Sequence, residues 1–329
     1  MMDFCQIIGH EDIISFFKRS IESDHIGHAY ILSGEEGSGK KMLAGCFAKT
    51  LQCREELTDS CNECQSCQQA DSGNHPDIIW VTHEKPGVIS VDEIREQVVT
   101  SMEIKPYSSK YKIYIIDEAE KMNQQAQNAL LKTIEEPPAY GIVILLTVSP
   151  ERLLQTIRSR CVLLSTKPVR ERDIRDYLVS TYGTDEKQTE LCVEYAAGNL
   201  GKAIRLATNE DYRNIVQSVI NLEKEIYDMD MEDIAAAIEH CSTWKMEIGE
   251  YLDLMMVWYR DILVLKVTGK PDRIVFKEQY SVMKEQAKYL SFNELEDKSR
   301  AIENAKVRIR ANAHLEDVMR LLILTLKEI

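Results

Sequence analysis

His28-Ala-Tyr-Ile-Leu-Ser33, followed at once by Gly34-Glu-Glu-Gly-Ser-Gly-Lys40-Lys41, is the stretch that decides the fold. The apolar run reads as a buried strand and the glycines as a turn, and Met42 to Leu51 carries apolar residues at helical spacing. A strand that passes through a Gly-rich turn into a helix is the setting in which G-x-x-x-x-G-K-[S/T] cradles phosphate. The glycines let backbone amides turn inward, the helix N-terminus adds positive potential, and the lysine reaches the phosphates. Gly34, Gly37, Gly39 and Lys40 supply that set, but Lys41 stands where a Ser or Thr hydroxyl would ligate Mg²⁺. An ammonium cannot ligate a cation and repels one nearby. ATP with Mg²⁺ is therefore an expected but weakened cofactor, and hydrolysis at this loop is expected to be impaired.

Working outward, Asp77 to Val81, Lys112 to Ile116 and Gly141 to Leu146 read as three more buried strands. Asn123 to Glu136 reads as a helix stopped by Pro137 and Pro138, because proline removes an amide donor and restricts the residue before it. Strands alternating with helices predict an α/β fold with a parallel sheet covered on both faces. Ile115-Ile116-Asp117-Glu118 ends a strand with two carboxylates. In phosphate-loop NTPases the first holds the Mg²⁺ shell and a neighbouring glutamate can polarise the attacking water, a catalytic role expected to be vestigial in Glu118. Thr147, at the next strand's end, is either a hydroxyl near a γ-phosphate or a simple strand-end threonine.

Cys53-x₇-Cys61-x₂-Cys64-x₂-Cys67 offers four thiols within fifteen residues, with turns short enough for tetrahedral Zn²⁺. An Fe–S cluster is the rival, although the ferredoxin-like C-x₃-C-P ending is missing. A closed set of four cysteines leaves no open coordination position, so its role is structural. The other five cysteines, Cys5, Cys46, Cys161, Cys192 and Cys241, read as scattered small apolar residues.

The 329 residues, 44% hydrophobic and 29% charged, exclude disordered and low-complexity classes and suggest about two or three domains. No run reaches a membrane span and the N-terminal segment lacks a signal-peptide pattern, so a cytoplasmic chain with no membrane partner is expected. With 40 Lys and Arg against 54 Asp and Glu, the net charge of −14 argues against a chain that wraps nucleic acid by itself. Between Gln52 and Asp71 the only basic residue is Arg54, which weakens a reading of the cysteine segment as a nucleic-acid-binding module.

Past Ser165 the pattern turns helical. Pro168 to Tyr182, Thr189 to Ala197 and Leu200 to Thr208 read as three short helices sized for a lid. From Asp211 the chain is helical almost throughout, with breaks near Gly269-Lys-Pro271 and Leu290-Ser-Phe-Asn293. Leu252, Met255, Met256, Trp258, Tyr259, Ile262 and Leu263 are spaced for a helical core. The expected domains are residues 1–166, with the Cys₄ module at 53–67, a lid at 167–208 and an all-helical domain at 209–329.

The phosphate loop, the Cys₄ insertion after its helix, Asn128-Ala-Leu-Leu-Lys-Thr-Ile-Glu-Glu-Pro-Pro138 and Thr156-Ile-Arg-Ser-Arg-Cys161 together resemble the bacterial clamp-loader members of the AAA+ ATPases. Within that group, His75-Pro-Asp77, the segment Ile89 to Arg95 and the altered loop resemble the delta-prime subunits of DNA polymerase III more than the gamma/tau motor subunits. The resemblance implies that Arg160 reaches across a subunit interface to a neighbour's γ-phosphate as an arginine finger. It implies gamma/tau and delta partners in a hetero-oligomer that acts on a sliding clamp and primed DNA, and a collar role for the C-terminal helices. Leu315, Val318, Leu321, Leu322 and Leu326 would serve an internal core or that subunit contact. Motor subunits have an arginine where Gly201 aligns, with Lys202 and Arg205 nearby but not equivalent, so two departures point away from hydrolysis by this chain. An independently active ATPase is the alternative, favoured by Lys40, Asp117 and Glu118.

Overall fold

Tyr30, Ile31 and Leu32 have no exposed surface, as residues of a central parallel strand should. The computed structural model describes residues 3–55, 58–85, 87–242, 248–311 and 313–328. In order, the first elements are α1 (Glu11–Glu22), β1 (Ala29–Ser33), α2 (Lys40–Leu51), α3 (Gln65–Asp71), β2 (Ile78–Trp80) and α4 (Val91–Ile94). They are followed by β3 (Lys112–Ile116), α5 (Gln124–Glu135), β4 (Gly141–Thr147), α6 (Gln155–Arg158) and β5 (Val162–Ser165). The five strands are all parallel in the order β2-β3-β4-β1-β5. Four lie where the sequence predicts them. β5 is the addition, and its four residues, with Val162 and Leu163 exposed at the sheet edge, form neither a buried run nor an alternation.

On one face of the sheet Phe17 of α1 stacks on Phe47 of α2 with ring centroids 4.0 Å apart, and Tyr30 meets Phe47 edge-on at 5.3 Å. Ile94, Val98, Leu130 and Ile134 pack on the other face against Ile31, Tyr114 and Ile116. This double covering aligns the strands' carboxyl ends: Ser33 pairs with Thr147 and Ile116 with Leu145. Gly34, Asp117 and Thr147 thus emerge at one edge, where open α/β sheets bind ligands.

The remaining helices are α7 (Glu171–Tyr182), α8 (Glu186–Ala196), α9 (Leu200–Thr208), α10 (Glu210–Glu225), α11 (Met231–Ser242), α12 (Ile248–Thr268), α13 (Tyr280–Tyr289), α14 (Phe292–Arg310) and α15 (Leu315–Glu328). The chain divides into two compact units, residues 1–177 with 196–202, and 178–195 with 203–329. Within the second unit, Leu252, Met255, Trp258, Tyr259 and Ile262 are buried and Met256 is half-buried. Leu263 is exposed, which corrects its placement in that core. Val318, Leu322 and Leu326 also fill this unit's own core, whereas Leu321 is exposed.

That helical core contains a polar cluster. The Tyr259 hydroxyl donates to Glu223 Oε2 at 2.6 Å, and the Lys298 ammonium donates to the Leu326 carbonyl beneath the rings of Tyr227 and Tyr259. Burial pushes the Glu223 carboxyl up to about 8 and pulls the Lys298 ammonium down to about 8. From the ordinary glutamate value up to pH 8 the folded chain therefore holds a proton that the unfolded chain lacks, so Glu223 lowers stability as pH rises through that window. Glu223→Gln should flatten this fall, which thermal unfolding at pH 5 and pH 8 would measure. Above pH 8 Lys298 acts in the opposite sense, because there the unfolded chain binds the extra proton.

Candidate functional site

Gly34 to Gly39 joins β1 to α2. The loop is closely packed by the protein itself: a Cβ on Gly34 would meet Thr166 Oγ1 at 1.8 Å, and one on Gly37 would meet Asn199 Oδ1 at 2.8 Å. Gly37 and Gly39 also adopt φ of 80° and 88°, the left-handed region open to glycine. The Lys40 side chain is buried, and its ammonium donates to the carbonyls of Gly34 and Glu35, both at 2.7 Å. Burial pulls that ammonium below the usual lysine range.

Lys41 carries the departure. Its Nζ lies 2.6 Å from Asp117 Oδ2, and this hydrogen bond, stronger than the effect of desolvation, holds the ammonium above its ordinary value. The carboxylate expected to serve a Mg²⁺ shell therefore has a fixed organic cation against it. Glu118, in a left-handed conformation at φ 50°, pairs with Lys121 at 2.7 Å and lies 3.8 Å from His83. Thr147 is buried and its carbonyl accepts from the Gly34 amide, while its hydroxyl accepts from the Ser149 amide at 3.1 Å. The fold thus brings Gly34, Gly37, Gly39, Lys40, Lys41, Asp117 and Thr147 to one sheet edge.

Several contacts at this loop carry no signal in the sequence. The Gly201 amide donates to the Gly37 carbonyl at 3.1 Å, and a Cβ on Gly201 would sit 2.6 Å from that oxygen. Asn199 Nδ2 donates to the Glu36 carbonyl at 2.8 Å, and Lys202 pairs with Glu35 at 3.2 Å. The segment from Asn199 to Lys202 therefore lies directly on the glycine loop. His10, in a left-handed conformation before α1, places Nε2 2.9 Å from the Ser38 carbonyl, and burial lowers its pKa. Beside it is a cavity of about 180 Å³ lined by residues that include Ile13, Lys167 and Val169.

Arg160 is not part of that cluster. Its guanidinium donates to the Thr156 carbonyl at 3.0 Å and pairs with Glu135 of α5 at 3.0 Å. Both side chains are about two-fifths exposed, so the pair is screened and readily exchanged for another anion. Arg158 is tied instead to Gln155 at 2.6 Å.

The Sγ atoms of Cys53, Cys61, Cys64 and Cys67 all lie within 4.8 Å of one another and could hold one metal ion. Backbone amides aim at the sulfurs, with Cys61 N donating to Cys53, Cys64 N to Cys61 and Cys67 N to Cys64. Burial raises the thiols of Cys53 and Cys67. At Cys64 burial acts in the same direction, but the amides of Arg54 and Cys67 and the neighbouring thiols outweigh it and bring the thiol down to about 6. The module is tied to α2 by the buried Lys49 ammonium, which reaches Asn62 at 2.6 Å and both Asp71 oxygens at 2.8 Å. Ser66 joins the Gln52 carbonyl to His75 Nε2, and Asp77 accepts from the amides of Tyr107 and Ser108. His75-Pro-Asp77 is thus a structural tie between this module and the sheet.

Comparison with known proteins follows the same lines. The family described as "DNA polymerase III, delta subunit" matches residues 9–170. The delta-prime subunit of DNA polymerase III from Bacillus subtilis is 28% identical over 322 residues, covering 96% of this chain and 95% of the relative. The tau/gamma subunit from Haemophilus influenzae is 30% identical over 241 residues, covering 69% of this chain and 35% of that relative's length. A solved gamma-subunit-related protein of Thermotoga maritima aligns over 96% of this chain and 99% of its own, at 18% identity and a TM-score of 0.47.

Proposed function

Because the chain belongs to the clamp-loader subunits of DNA polymerase III, related to delta-prime and to gamma/tau alike, we propose that it is the delta-prime-like structural subunit of such an assembly. Its partners in this reading are gamma/tau and delta subunits, and through the assembly a sliding clamp and primed DNA. Its residues 167–208 act as a lid on the sheet domain and 209–329 as the collar that joins the subunits. Arg160 acts in trans on a neighbour's ATP. The observation that carries the reading is Lys41 on Asp117 at 2.6 Å, which sets an ammonium where hydrolysis would need a metal. The 95% coverage of the delta-prime relative supports the same branch.

Zinc is the metal proposed for the cysteine cluster. Four thiolates at about 2.3 Å from one tetrahedral ion lie about 3.8 Å apart, and Cys61 and Cys67 are separated by 3.9 Å. The ion would stabilise the module from 53 to 67 and supply no chemistry.

ATP turnover by the purified chain alone tests the structural-subunit reading. The expected result is background hydrolysis that Lys40→Ala leaves unchanged. Turnover abolished by Lys40→Ala would make the chain a motor in its own right.

A further inference from the structure

The cysteine module makes a second set of contacts, which run to the N-terminal segment of the chain. Asp59 Oδ1 accepts from the amides of Phe4 at 3.2 Å and Ser60 at 2.8 Å. Its Oδ2 lies 3.3 Å from the Lys18 ammonium of α1 and accepts from the Cys5 thiol at 3.7 Å. Asn62, in the left-handed region at φ 61°, donates from Nδ2 to Asp3 Oδ2 at 2.9 Å. Asp59 and Asn62 flank Cys61, one of the four sulfur donors.

Hydrophobic burial does not hold those flanks in place. Thr58-Asp-Ser-Cys-Asn-Glu-Cys-Gln65 carries no apolar side chain apart from its two cysteines, so its anchors are the sulfurs and the buried Lys49 ammonium that reaches Asn62 at 2.6 Å. Thiols are weak hydrogen-bonding groups, whereas four thiolates gathered on one ion fix the backbone that carries them. The N-terminal segment leads from this loop to the glycine loop. Phe4 is buried and stacks on Phe17, Ile7 is buried, and Gly9 at φ 75° and His10 at φ 59° turn the chain into α1. His10 Nε2 then meets the Ser38 carbonyl at 2.9 Å. Residues 3–10 are therefore a strap, fastened to the cysteine module at one end and lying on the glycine loop at the other.

We propose that the metal-bound cysteine module is the clasp of this strap, so that metal occupancy fastens or releases the segment from Asp3 to His10. With the four sulfurs on one ion, Cys61 sets the positions of Asp59 and Asn62, and these hold the Phe4 amide and the Asp3 carboxylate. Without the ion, the loop from Thr58 to Gln65 is free to extend and both side chains part from the segment. Phe4 and Ile7 are then its main hold on the helices beneath, and the three residues before the His10 contact lose their fixed path. The site is thus a metal-responsive device whose output is the segment that touches the glycine loop. This clasp rests on the metal reading of the four cysteines and adds a consequence that a site of purely local effect would not have.

Hydrogen exchange of the full chain, read on the Phe4 amide and on the peptide spanning residues 3–10, tests it, with zinc content measured on every sample. Stripping the metal by chelation under reducing conditions should speed exchange in 3–10 about tenfold or more, the factor that one lost hydrogen bond to a charged group is worth, and leave β1, β3 and β4 protected. Adding zinc back should restore the protection. Asp59→Ala removes the clasp contact without removing a ligand, so it should show fast exchange in 3–10 while keeping its zinc and the native protection of 61–72. Unchanged exchange of 3–10 in the metal-free native chain, or in zinc-loaded Asp59→Ala, would overturn the clasp and leave the metal assignment standing. A native chain that carries no metal would overturn both.

Discussion

Cys64→Ser should strip the protein of its metal and collapse the module that contains it. The native chain, purified without chelator, should carry one zinc per molecule by atomic emission, and the variant far less than one. The expected effect is large because the segment from Cys53 to Asp71 buries few side chains of its own, Cys53 and Cys67 among them. Structural zinc sites of this kind supply about 10–16 kcal/mol of apparent binding energy, and in small modules that is folding energy. A serine hydroxyl in the fourth position binds zinc poorly and leaves three thiolates repelling one another. The damage should spread along the ties already described, through Lys49 to Asp71 and through Ser66 to Gln52 and His75, and loosen the end of α2. Hydrogen exchange should show fast amides in 58–72 of the variant and native protection in β1, β3 and β4. Cys46→Ser is the control: Cys46 is more deeply buried than Cys64 but packs among Phe17, Phe47 and their neighbours, so its replacement should keep the metal. Absence of zinc from the native protein would contradict the assignment.

The sequence shows the sheet clearly because β1, β3 and β4 are covered on both faces and appear as continuous apolar runs, and the short edge strand β2 still carries the apolar run Ile78–Trp80. β5 escapes because an edge strand of four residues, three of them exposed, has no such run. The cysteine spacing is equally legible, since ligands two residues apart must share a turn. Lys41 is visible as a departure from the phosphate-loop pattern, but its partner is not. Only the alignment of the β1 and β3 carboxyl ends brings Asp117 to 2.6 Å of it. The packing of Asn199 and Gly201 on the loop is harder still to read, because it runs backbone to backbone and side chain to backbone across long sequence separation. Gly201 is identifiable in the sequence only as the lack of an arginine, whereas in the structure its missing Cβ is what permits the contact with Gly37. Leu263 misleads for a different reason: α12 is apolar around much of its circumference, so periodicity alone does not identify which face is covered.

The central proposal is that Arg160 completes a neighbour's catalytic site. Arginine fingers are worth about 10³–10⁵ in turnover, because a guanidinium neutralises charge that develops on the transferring phosphoryl group. Arg160 suits that task on three grounds. It is about two-fifths exposed, its ion pair with Glu135 is of the exposed kind worth about 0–1 kcal/mol, and its contact with the Thr156 carbonyl holds the side chain from α6 without burying it. A neighbour's γ-phosphate, with more charge than one carboxylate, would displace Glu135 readily. Arg158, bonded to Gln155, should be dispensable, so Arg158→Ala serves as the control.

The decisive measurement is single-turnover ATP hydrolysis by the reconstituted clamp-loader assembly on primed DNA, with Arg160→Ala introduced in this subunit alone. The account predicts that one site's share of the fast phase disappears and reappears at least about 10³-fold slower, while assembly and ATP binding are retained and Arg158→Ala is unchanged. A fast phase of native amplitude and rate in the Arg160→Ala assembly would contradict it.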